Sequence, residues 1–347
     1  MNRLRSIGIA LAGVALVAGA AGSAARPIDG RPTAIPAPFA GDRWYPEYVE
    51  DMNWVAHATP YEQLATVRVK DAHTRWVNVV DGRRATWAPP ACTCRRLRVW
   101  MYGGSTMFGM GQRDAHTIAS ELARAAWADG IALDVENRGV LGDTHWEEAQ
   151  RFAWDLAGEP APDLVIFYDG TNEVLATRFT TDFDRAPSVI PAEFWQEYVE
   201  RVPYRTDRPA DVAAPRTKVL PTMTATELGR AIGERYERSR VLSSTLAERA
   251  GVAAVFVWQP TSDLRPIVPG ELHDPGLAFA RRRTAGARAA LGADVIDIAD
   301  VFAKVREPLY YDTIHTNEAG ARLVATAMYN RLRPRIDELV RKGGPTS

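Results

Sequence analysis

The chain has 347 residues, 46% of them hydrophobic, which is enough to bury a large core in one main domain with an appendage. Its 42 Lys and Arg residues nearly balance its 43 Asp and Glu residues, and no basic stripe stands out, so nucleic acid is not expected as a partner. The six histidines form no HxxxH or HExxH pair, and the two cysteines cannot complete a four-ligand zinc site. No metal or organic cofactor is therefore expected.

The N-terminus has the pattern of an export signal. A short basic segment at 1–5 precedes an uncharged Ala/Gly/Val/Leu run at 6–22, and the small residues at 23–25 suit signal-peptidase cleavage. Because the run is only mildly apolar, residues 1–25 are predicted to be a cleaved signal peptide, with an uncleaved membrane anchor as the alternative. Either form predicts that the remaining chain works outside the cytoplasm, secreted or associated with the cell envelope.

Residues 26–95 are predicted to form a linker followed by a small extension that packs on the main domain. The linker is rich in Pro, Ala and Gly. The extension carries many aromatic residues and strand-like runs at 65–69 and 75–80, and Asp81-Gly82 after the second run is a turn signal. The aromatic residues are interpreted mostly as core, with carbohydrate stacking as the alternative for some of them.

The two cysteines of the chain, Cys92 and Cys94, lie at the end of this extension. In an oxidising compartment a cysteine pair is more often a disulfide than two free thiols, and a one-residue spacer makes such a bridge tight. Free thiols and an intermolecular link remain as alternatives. A catalytic role is not expected, because no helix start or histidine accompanies the pair.

From residue 96 onwards, apolar runs alternate with helix-like segments. This alternation is typical of an α/β fold in which a mainly parallel sheet carries helices on both faces, so residues 96–347 are predicted to form a three-layer sandwich. Strands are predicted at 97–102, 133–136, 164–168, 253–258 and 295–298. Helices are predicted at 117–129, 145–156, 226–250, 277–291 and from about 317.

The stretch at 178–223 does not follow this alternation. It contains several aromatic residues, prolines and charges, with little sustained periodicity. A loop of that length inside a compact domain is usually functional or partly disordered. It is therefore predicted to be a lid or a substrate-shaping insert.

The first predicted strand of the main domain ends in two glycines followed by Ser105 and Thr106. This is the pattern of a strand that enters a tight turn and then a helix. A serine at that point lies beside outward-pointing N–H groups at a helix start, which favour negative charge and so suit a nucleophile. By itself the pattern is equally compatible with an ordinary loop.

Four polar motifs follow predicted strands or lie near the C-terminus, and the same edge of the sheet is expected to collect them. They are Gly103-Gly104-Ser105-Thr106, the run 137–144, the run 168–173 and the run 310–320. Their order and spacing resemble those of the SGNH hydrolases, also called the GDSL esterase/lipase superfamily, over residues 96 to 332. The resemblance implies the flavodoxin-like sandwich of that family and hydrolysis of carboxylic esters without a cofactor.

Ester cleavage needs an activated hydroxyl, a base, a group that orients the base, and donors for the oxyanion. Ser105 is the candidate nucleophile. His315 is the candidate base, because it alone among the histidines directly precedes a helix-start pattern and follows an acid three residues earlier. Asp312 can accept a hydrogen bond from one ring nitrogen of His315 and so leave the other nitrogen for Ser105. In the family resembled, the matching Asp and His play these roles.

The candidate oxyanion donors are the Ser105 N–H, the Gly142 N–H and the Asn172 side-chain amide. Glycine suits the second position because the backbone can approach a substrate without an intervening Cβ. Gly142 is preferred because it begins a Gly-Asp-Thr sequence that matches the family's second motif. Gly139 is the alternative.

The first and third motifs differ from the family pattern. The first often reads Gly-Asp-Ser in the family and here has Gly104 in place of the Asp; the third often ends in Asp and here ends in Glu173. Neither change removes a catalytic group, but both leave the substrate open.

Several nearby residues have two interpretations. Gln259 and Asp143 are possible substrate-lining residues, although Asp143 and Thr144 could instead cap the following helix. Asp169 could shape the turn before Gly170, and Trp258 is interpreted as core. Surface or structural positions are expected for the remaining histidines, His57, His73, His116, His145 and His273.

The sequence thus predicts a serine esterase that hydrolyses an acylated glycan, a lipid or another small ester through an acyl-enzyme. An O-acyltransferase with the same triad, acting on a sugar acceptor, is the alternative. A non-catalytic glycan-binding module is the second alternative, which the full set of catalytic residue types disfavours. The expected partner is an ester substrate, with possible envelope or membrane association through the N-terminus.

Overall fold

The computed structural model describes residues 35–57, 61–62, 66–67, 69–176, 223–273 and 276–342. The predicted signal peptide and all but the last residue of the predicted insert at 178–223 lie outside the described residues. Within the described part, no helix is both long enough and apolar enough to cross a membrane.

A mostly parallel sheet of eight strands runs through the described molecule. Two short strands, β1 (Tyr61–Glu62) and β2 (Thr66–Val67), are not part of it. The N-terminal strands of this sheet are β3 (Ala72–His73), β4 (Asn78–Val80) and β5 (Arg83–Arg84). The main-domain strands are β6 (Arg96–Gly103), β7 (Ala132–Asn137), β8 (Leu164–Asp169), β9 (Ala253–Trp258) and β10 (Ile296–Asp297). The order across the sheet is β10-β9-β8-β6-β7-β5-β4-β3, and β6 to β10 pair in parallel. The five predicted strands are confirmed, each within one residue at either end.

Helices cover both faces of this sheet, as predicted. They are α1 (Tyr45–His57), α2 (Ser105–Phe108), α3 (Ile118–Ala128), α4 (His145–Gly158), α5 (Thr171–Ala176), α6 (Ala225–Ala250), α7 (Leu277–Arg288) and α8 (Glu318–Lys342). Because side chains alternate along a strand, Val99 and Met101 of β6 pack in the core beneath α3 and α8, while Trp100 and Tyr102 pack in the core beneath α4 and α6. The three-layer α/β sandwich is therefore confirmed.

Polar residues begin the helices next to the site. Thr117 accepts a hydrogen bond from the Ser120 N–H at the start of α3, and Thr144 forms a capping box with Glu147 at the start of α4. Thr224 likewise forms a capping box at the start of α6. Of the two residues predicted as possible caps of α4, Thr144 is the cap and Asp143 is not.

The N-terminal extension is joined to the main domain more closely than predicted. Its strands β3 to β5 continue the large sheet in antiparallel pairing, and Arg84 of β5 pairs with Asn137 of β7. Packing alone was expected, but the pairing covers the backbone of β7 that would otherwise form an edge. A separate aromatic core ties the extension to the site loops, with Phe39 stacked on Tyr45 and tilted against Tyr311.

The remaining expectations for the extension hold in part. Most of its aromatic side chains are buried or partly buried, as predicted, but the Trp54 side chain is 54% exposed. Cys92 and Cys94 form an intrachain disulfide, which is the first of the three alternatives for this pair.

Candidate active site

Ser105 lies where a buried strand meets a short helix. The strand β6 ends at Gly103, and α2 begins at Ser105. No described residue accepts a hydrogen bond from the Ser105 N–H, because the first residue of a helix has no acceptor within the helix. Ser105 therefore offers a hydroxyl and an unbonded N–H at the carboxyl edge of the sheet, as the sequence predicts.

The structure brings Ser105, His315 and Asp312 into one hydrogen-bonded chain. The Ser105 Oγ lies 2.7 Å from the His315 Nε2, although the two residues are 210 positions apart in the sequence. The His315 Nδ1 lies 2.7 Å from the Asp312 Oδ2. All three residues are buried, and Ser105 is the most exposed of them at 6%. An ionised Asp312 favours the tautomer that carries its proton on Nδ1 and leaves the Nε2 lone pair for the serine.

The turn from Asp312 to His315 is held by its own backbone. The second carboxylate oxygen of Asp312, Oδ1, accepts hydrogen bonds from the Ile314 N–H at 2.7 Å and from the His315 N–H at 2.6 Å. The Tyr311 ring stacks on the His315 imidazole with 5.9 Å between ring centroids. These contacts restrict the Asp312 carboxylate and the His315 imidazole before any substrate is bound.

Two long-range contacts fasten the histidine loop to the loop after the serine. Gln112 donates from Nε2 to the Thr316 carbonyl at 3.1 Å, and Arg113 forms an ion pair with Glu318 at 2.7 Å. Ser262 also donates a hydrogen bond to the Thr313 carbonyl. Sequence reasoning missed these residues, because nothing in the local pattern around them indicates partners that are 51 to 205 positions away.

The Asn172 amide lies against the backbone that precedes the nucleophile. A Cβ placed on Gly104 would lie 2.1 Å from the Asn172 Nδ2 and 3.2 Å from the Asp143 carbonyl oxygen. The Asn172 Nδ2 donates one hydrogen bond to that carbonyl at 2.6 Å, which leaves its second N–H for another acceptor. The glycine that departs from the family's Gly-Asp-Ser pattern therefore provides the space that the Asn172 amide occupies.

The two candidate glycines of the second motif have different surroundings. The Gly139 N–H already donates to the Asn137 Oδ1 at 3.0 Å, and a Cβ on Gly139 would lie 2.4 Å from the Phe108 nitrogen. Gly142 has a φ of 85°, and no described residue accepts a hydrogen bond from its N–H. Gly139 therefore serves close packing against α2, whereas Gly142 has the unbonded N–H that an oxyanion donor needs.

The two possible substrate-lining residues are both held by other side chains. The Gln259 Oε1 accepts a hydrogen bond from the Thr106 hydroxyl at 2.8 Å, so Gln259 lies next to the serine turn. The Asp143 carboxylate is paired with the Arg151 Nε at 2.6 Å. Burial raises the pKa of Asp143 to about 7, with Arg151 acting in the opposite direction.

Behind the second and third motifs lies a buried polar cluster that sequence reasoning did not find. Glu173 accepts hydrogen bonds from the His145 N–H at 2.8 Å and the Gly170 N–H at 2.7 Å, and so joins the two motifs. Burial, with the neighbouring Asp169, raises the pKa of Glu173 to about 8. Asp169 pairs with the His145 imidazole at 2.9 Å, whereas the sequence predicts only a turn-shaping role for it.

Among the described residues, no histidine other than His315 forms a hydrogen bond with Ser105. His145 is buried within the cluster just described, His73 is exposed, and His116 pairs with Glu121 at 3.0 Å. The His57 side chain lies outside the described residues.

Several solved structures resemble this chain at low identity. A family 3 carbohydrate esterase from Clostridium thermocellum is 12% identical with a TM-score of 0.41, covering 71% of this chain and 100% of its own. An esterase from Pseudoalteromonas sp. is 11% identical with a TM-score of 0.40, covering 69% and 98%. A carbohydrate acetylesterase family member from Sinorhizobium meliloti is 15% identical with a TM-score of 0.37, covering 71% and 99%. No curated protein matches the chain.

A family model provides the stronger comparison. The model of the GDSL-like Lipase/Acylhydrolase family matches residues 101–323, well over half of the 347 residues, and this range includes every candidate catalytic and oxyanion residue. The chain therefore belongs to the GDSL-like lipase/acylhydrolase family and is an SGNH-type carboxylic ester hydrolase.

Proposed function

We propose that this chain is a serine esterase in which Ser105 attacks the ester carbonyl and forms an acyl-enzyme. The observation that carries the proposal is the continuous chain of hydrogen bonds from the Ser105 hydroxyl to His315 and on to Asp312, with 2.7 Å at each step. A hydroxyl is a weak nucleophile unless an adjacent base accepts its proton, and this arrangement supplies that base.

In the first half of the reaction, the His315 Nε2 removes the proton from the Ser105 Oγ as the oxygen bonds to the carbonyl carbon. The resulting imidazolium is stabilised by the Asp312 carboxylate on its other nitrogen. His315 then donates the proton to the departing alcohol, and the acyl group remains on Ser105. In the second half, His315 activates a water molecule in the same way, and the carboxylic acid leaves.

Three donors would stabilise the oxyanion that forms in each half of the reaction: the Ser105 N–H, the Gly142 N–H and the free N–H of the Asn172 amide. Support for this assignment comes from the absence of a described acceptor for either backbone N–H and from the remaining hydrogen of the Asn172 Nδ2. Donors held in place before the reaction need no reorganisation when the charge develops. Gly139 is not included, because Asn137 already occupies its N–H.

For the substrate, we infer an ester of a glycan, a lipid or another small molecule met outside the cytoplasm. The export pattern at residues 1–25 supports this location. The Cys92–Cys94 disulfide supports it independently, because disulfides persist in oxidising compartments.

The test is hydrolysis of p-nitrophenyl esters from acetate to longer acyl chains by the purified full chain and by Ser105→Ala. We expect hydrolysis by the wild type and its loss in the variant, with the preferred acyl length read from the series. Brief incubation with substrate, followed by mass spectrometry, should add one acyl group to a peptide containing Ser105. Unchanged hydrolysis by Ser105→Ala would refute the assignment.

A product analysis then distinguishes hydrolysis from acyl transfer. The chain is incubated with an acyl donor with and without an added sugar acceptor, and the free acid and acylated sugar are quantified. Free acid as the main product in both reactions is expected for an esterase. Acylated sugar in excess of free acid would instead establish an acyltransferase with the same triad.

A further inference from the structure

A second group of chemically active side chains lies inside the molecule, separate from the serine site. His145 and Glu148 are on the first turn of α4, and Asp169 ends β8. One side-chain nitrogen or oxygen from each of the three lies within 4.8 Å of the corresponding atoms of the other two, and all three residues are buried. A spacing of three positions puts His145 and Glu148 on the same face of α4.

Glu148 is the member of this group that most needs a partner. It is 1% exposed, and neither of its carboxylate oxygens has a hydrogen-bond partner. A second carboxylate, that of Asp169, lies in the same group. Two ionised carboxylates buried together are costly, so such a pair either shares a proton or binds a cation.

The orientation of His145 suits a metal ligand. Its Nε2 lies 3.0 Å from the hydroxyl of Ser243 on α6, which can accept the Nε2 proton. Its Nδ1 lies 2.9 Å from the Asp169 Oδ2, where it can donate a hydrogen bond; with an ion bound, Nδ1 would instead present its lone pair to the ion. A ligating histidine almost always donates its other N–H to such an acceptor, which fixes both the tautomer and the ring orientation. The rings of Phe167, Tyr236 and Phe256 enclose the imidazole.

We propose that His145, Glu148 and Asp169 bind a divalent transition-metal ion of the zinc type in a closed structural site. One imidazole nitrogen with carboxylate oxygens is a donor set that zinc accepts, whereas calcium and magnesium prefer oxygen donors alone. Glu148 can complete four-coordination by binding through both of its unpartnered oxygens. This inference does not rest on the esterase assignment and assigns the ion no step in ester cleavage.

The position of the group explains what a bound ion would do. It would join the start of α4 to the end of β8, and the second and third motifs of the active site adjoin these two points. Glu173 already links the same two motifs through the His145 and Gly170 N–H groups. A metal ion here would therefore stabilise the backbone that carries Gly142 and Asn172.

The test uses the full chain without a histidine tag, equilibrated with zinc, freed of excess metal by gel filtration and analysed by inductively coupled plasma mass spectrometry. We expect about one zinc ion per chain. Glu148→Gln removes a ligand with little change in volume and should lose the ion, while Glu147→Gln, on the same helical turn and outside the group, should retain it. Parallel samples with magnesium or calcium should retain neither ion.

Two results would overturn the proposal: a wild-type chain without zinc, or a Glu148→Gln chain that binds as much zinc as the wild type. The first result would leave a shared proton between Glu148 and Asp169 as the alternative. If Glu148→Gln does not fold, X-ray absorption spectroscopy of the zinc in the wild type decides the question. One imidazole nitrogen among light-atom ligands at about 2.0–2.2 Å is expected, and a spectrum without imidazole scattering would overturn the proposal.

Discussion

The described molecule contains two arrangements of serine, histidine and aspartate that join the same atoms in the same order. In the first, the His315 Nε2 lies 2.7 Å from the Ser105 Oγ and its Nδ1 lies 2.7 Å from the Asp312 Oδ2. In the second, the His145 Nε2 lies 3.0 Å from the Ser243 Oγ and its Nδ1 lies 2.9 Å from the Asp169 Oδ2. The connectivity of the side chains therefore does not distinguish them.

The surroundings of the two serines do distinguish them. Ser105 begins a short helix, has an N–H without a described acceptor, and follows Gly104, whose backbone lies against the Asn172 amide and the Asp143 carbonyl. Ser243 lies in the middle of the long helix α6, which uses its backbone N–H, and it is 0% exposed. Only the first serine has both unbonded donors for an oxyanion and a position at the edge of the sheet where substrates of such folds bind.

The comparison shows that a triad is recognised by its oxyanion donors and its access as much as by its three side chains. The second arrangement also has a feature that the first lacks, the unpartnered carboxylate of Glu148. The proposed metal site rests on this added buried carboxylate, which the Ser105 arrangement does not have. We therefore propose different roles for the same residue types, nucleophilic chemistry at Ser105 and cation binding at His145.

The largest expected contrast comes from the same substitution in the two histidines. His315→Gln should lower kcat by about 10⁵-fold, because the serine loses its base. It should lower the free energy of unfolding less than His145→Gln does, because Asp312 keeps the two backbone N–H donors on its Oδ1. His145→Gln should lower the free energy of unfolding by about 3 kcal/mol, because it leaves buried carboxylates without their partner. Ester hydrolysis and urea unfolding of each variant measure both effects. A large loss of stability in His315→Gln with full stability in His145→Gln would contradict the distinction.

The next effect concerns the oxyanion donors of the first arrangement. Asn172→Ala removes the side-chain amide that lies against the serine turn and should lower kcat by about 10²–10³-fold with little change in KM. The control is Asn78→Ala, which removes an amide of the N-terminal extension that donates a hydrogen bond to Asp114. This variant should keep kcat within about twofold of the wild-type value. Equal kcat values for Asn172→Ala and the wild type would exclude Asn172 as a donor.

The smallest effect tests the space next to that amide. Gly104→Ala adds a Cβ that would lie 2.1 Å from the Asn172 Nδ2, so the amide must move. A displacement of about 1 Å lowers turnover by about 10²-fold, and we expect a loss of about this size in kcat with the protein still folded. Gly158→Ala at the end of α4, where nothing lies within 4 Å of the added Cβ, is the matched control and should keep wild-type kcat. Undiminished kcat in Gly104→Ala would show that the position of Asn172 is not critical.

The parallel strands of the sheet could be predicted from the sequence, but the pairing of the N-terminal strands could not. The five strands from β6 to β10 were predicted because their apolar runs are long enough to be buried on both faces and end at turn residues. The sequence does not predict that the antiparallel strands β3 to β5 join the same sheet. A pairing such as that between Arg84 and Asn137 has no local sequence pattern. Pairing partners depend on the assembled sheet and not on the composition of either strand.

The sequence by itself determined the nature of the serine site. Ser105, Asp312, His315 and Asn172 occur in motifs whose residue types and order are those of SGNH hydrolases, and the family match covers all of them. Motif reasoning can propose these residues because each motif is local and ester cleavage demands specific residue types.

Only the tertiary structure decided how these groups are held and what the other buried polar residues do. Gly142 and Gly139 are alternatives in the sequence, and the structure shows that the Gly139 N–H already donates to Asn137, which supports the proposal of Gly142. His145 is predicted to be a surface or structural residue, and only the structure shows that it is buried within reach of Glu148 and Asp169. The physical reason is that hydrogen-bond satisfaction and burial depend on which distant elements fold together, and a single sequence does not encode those distances in any local pattern.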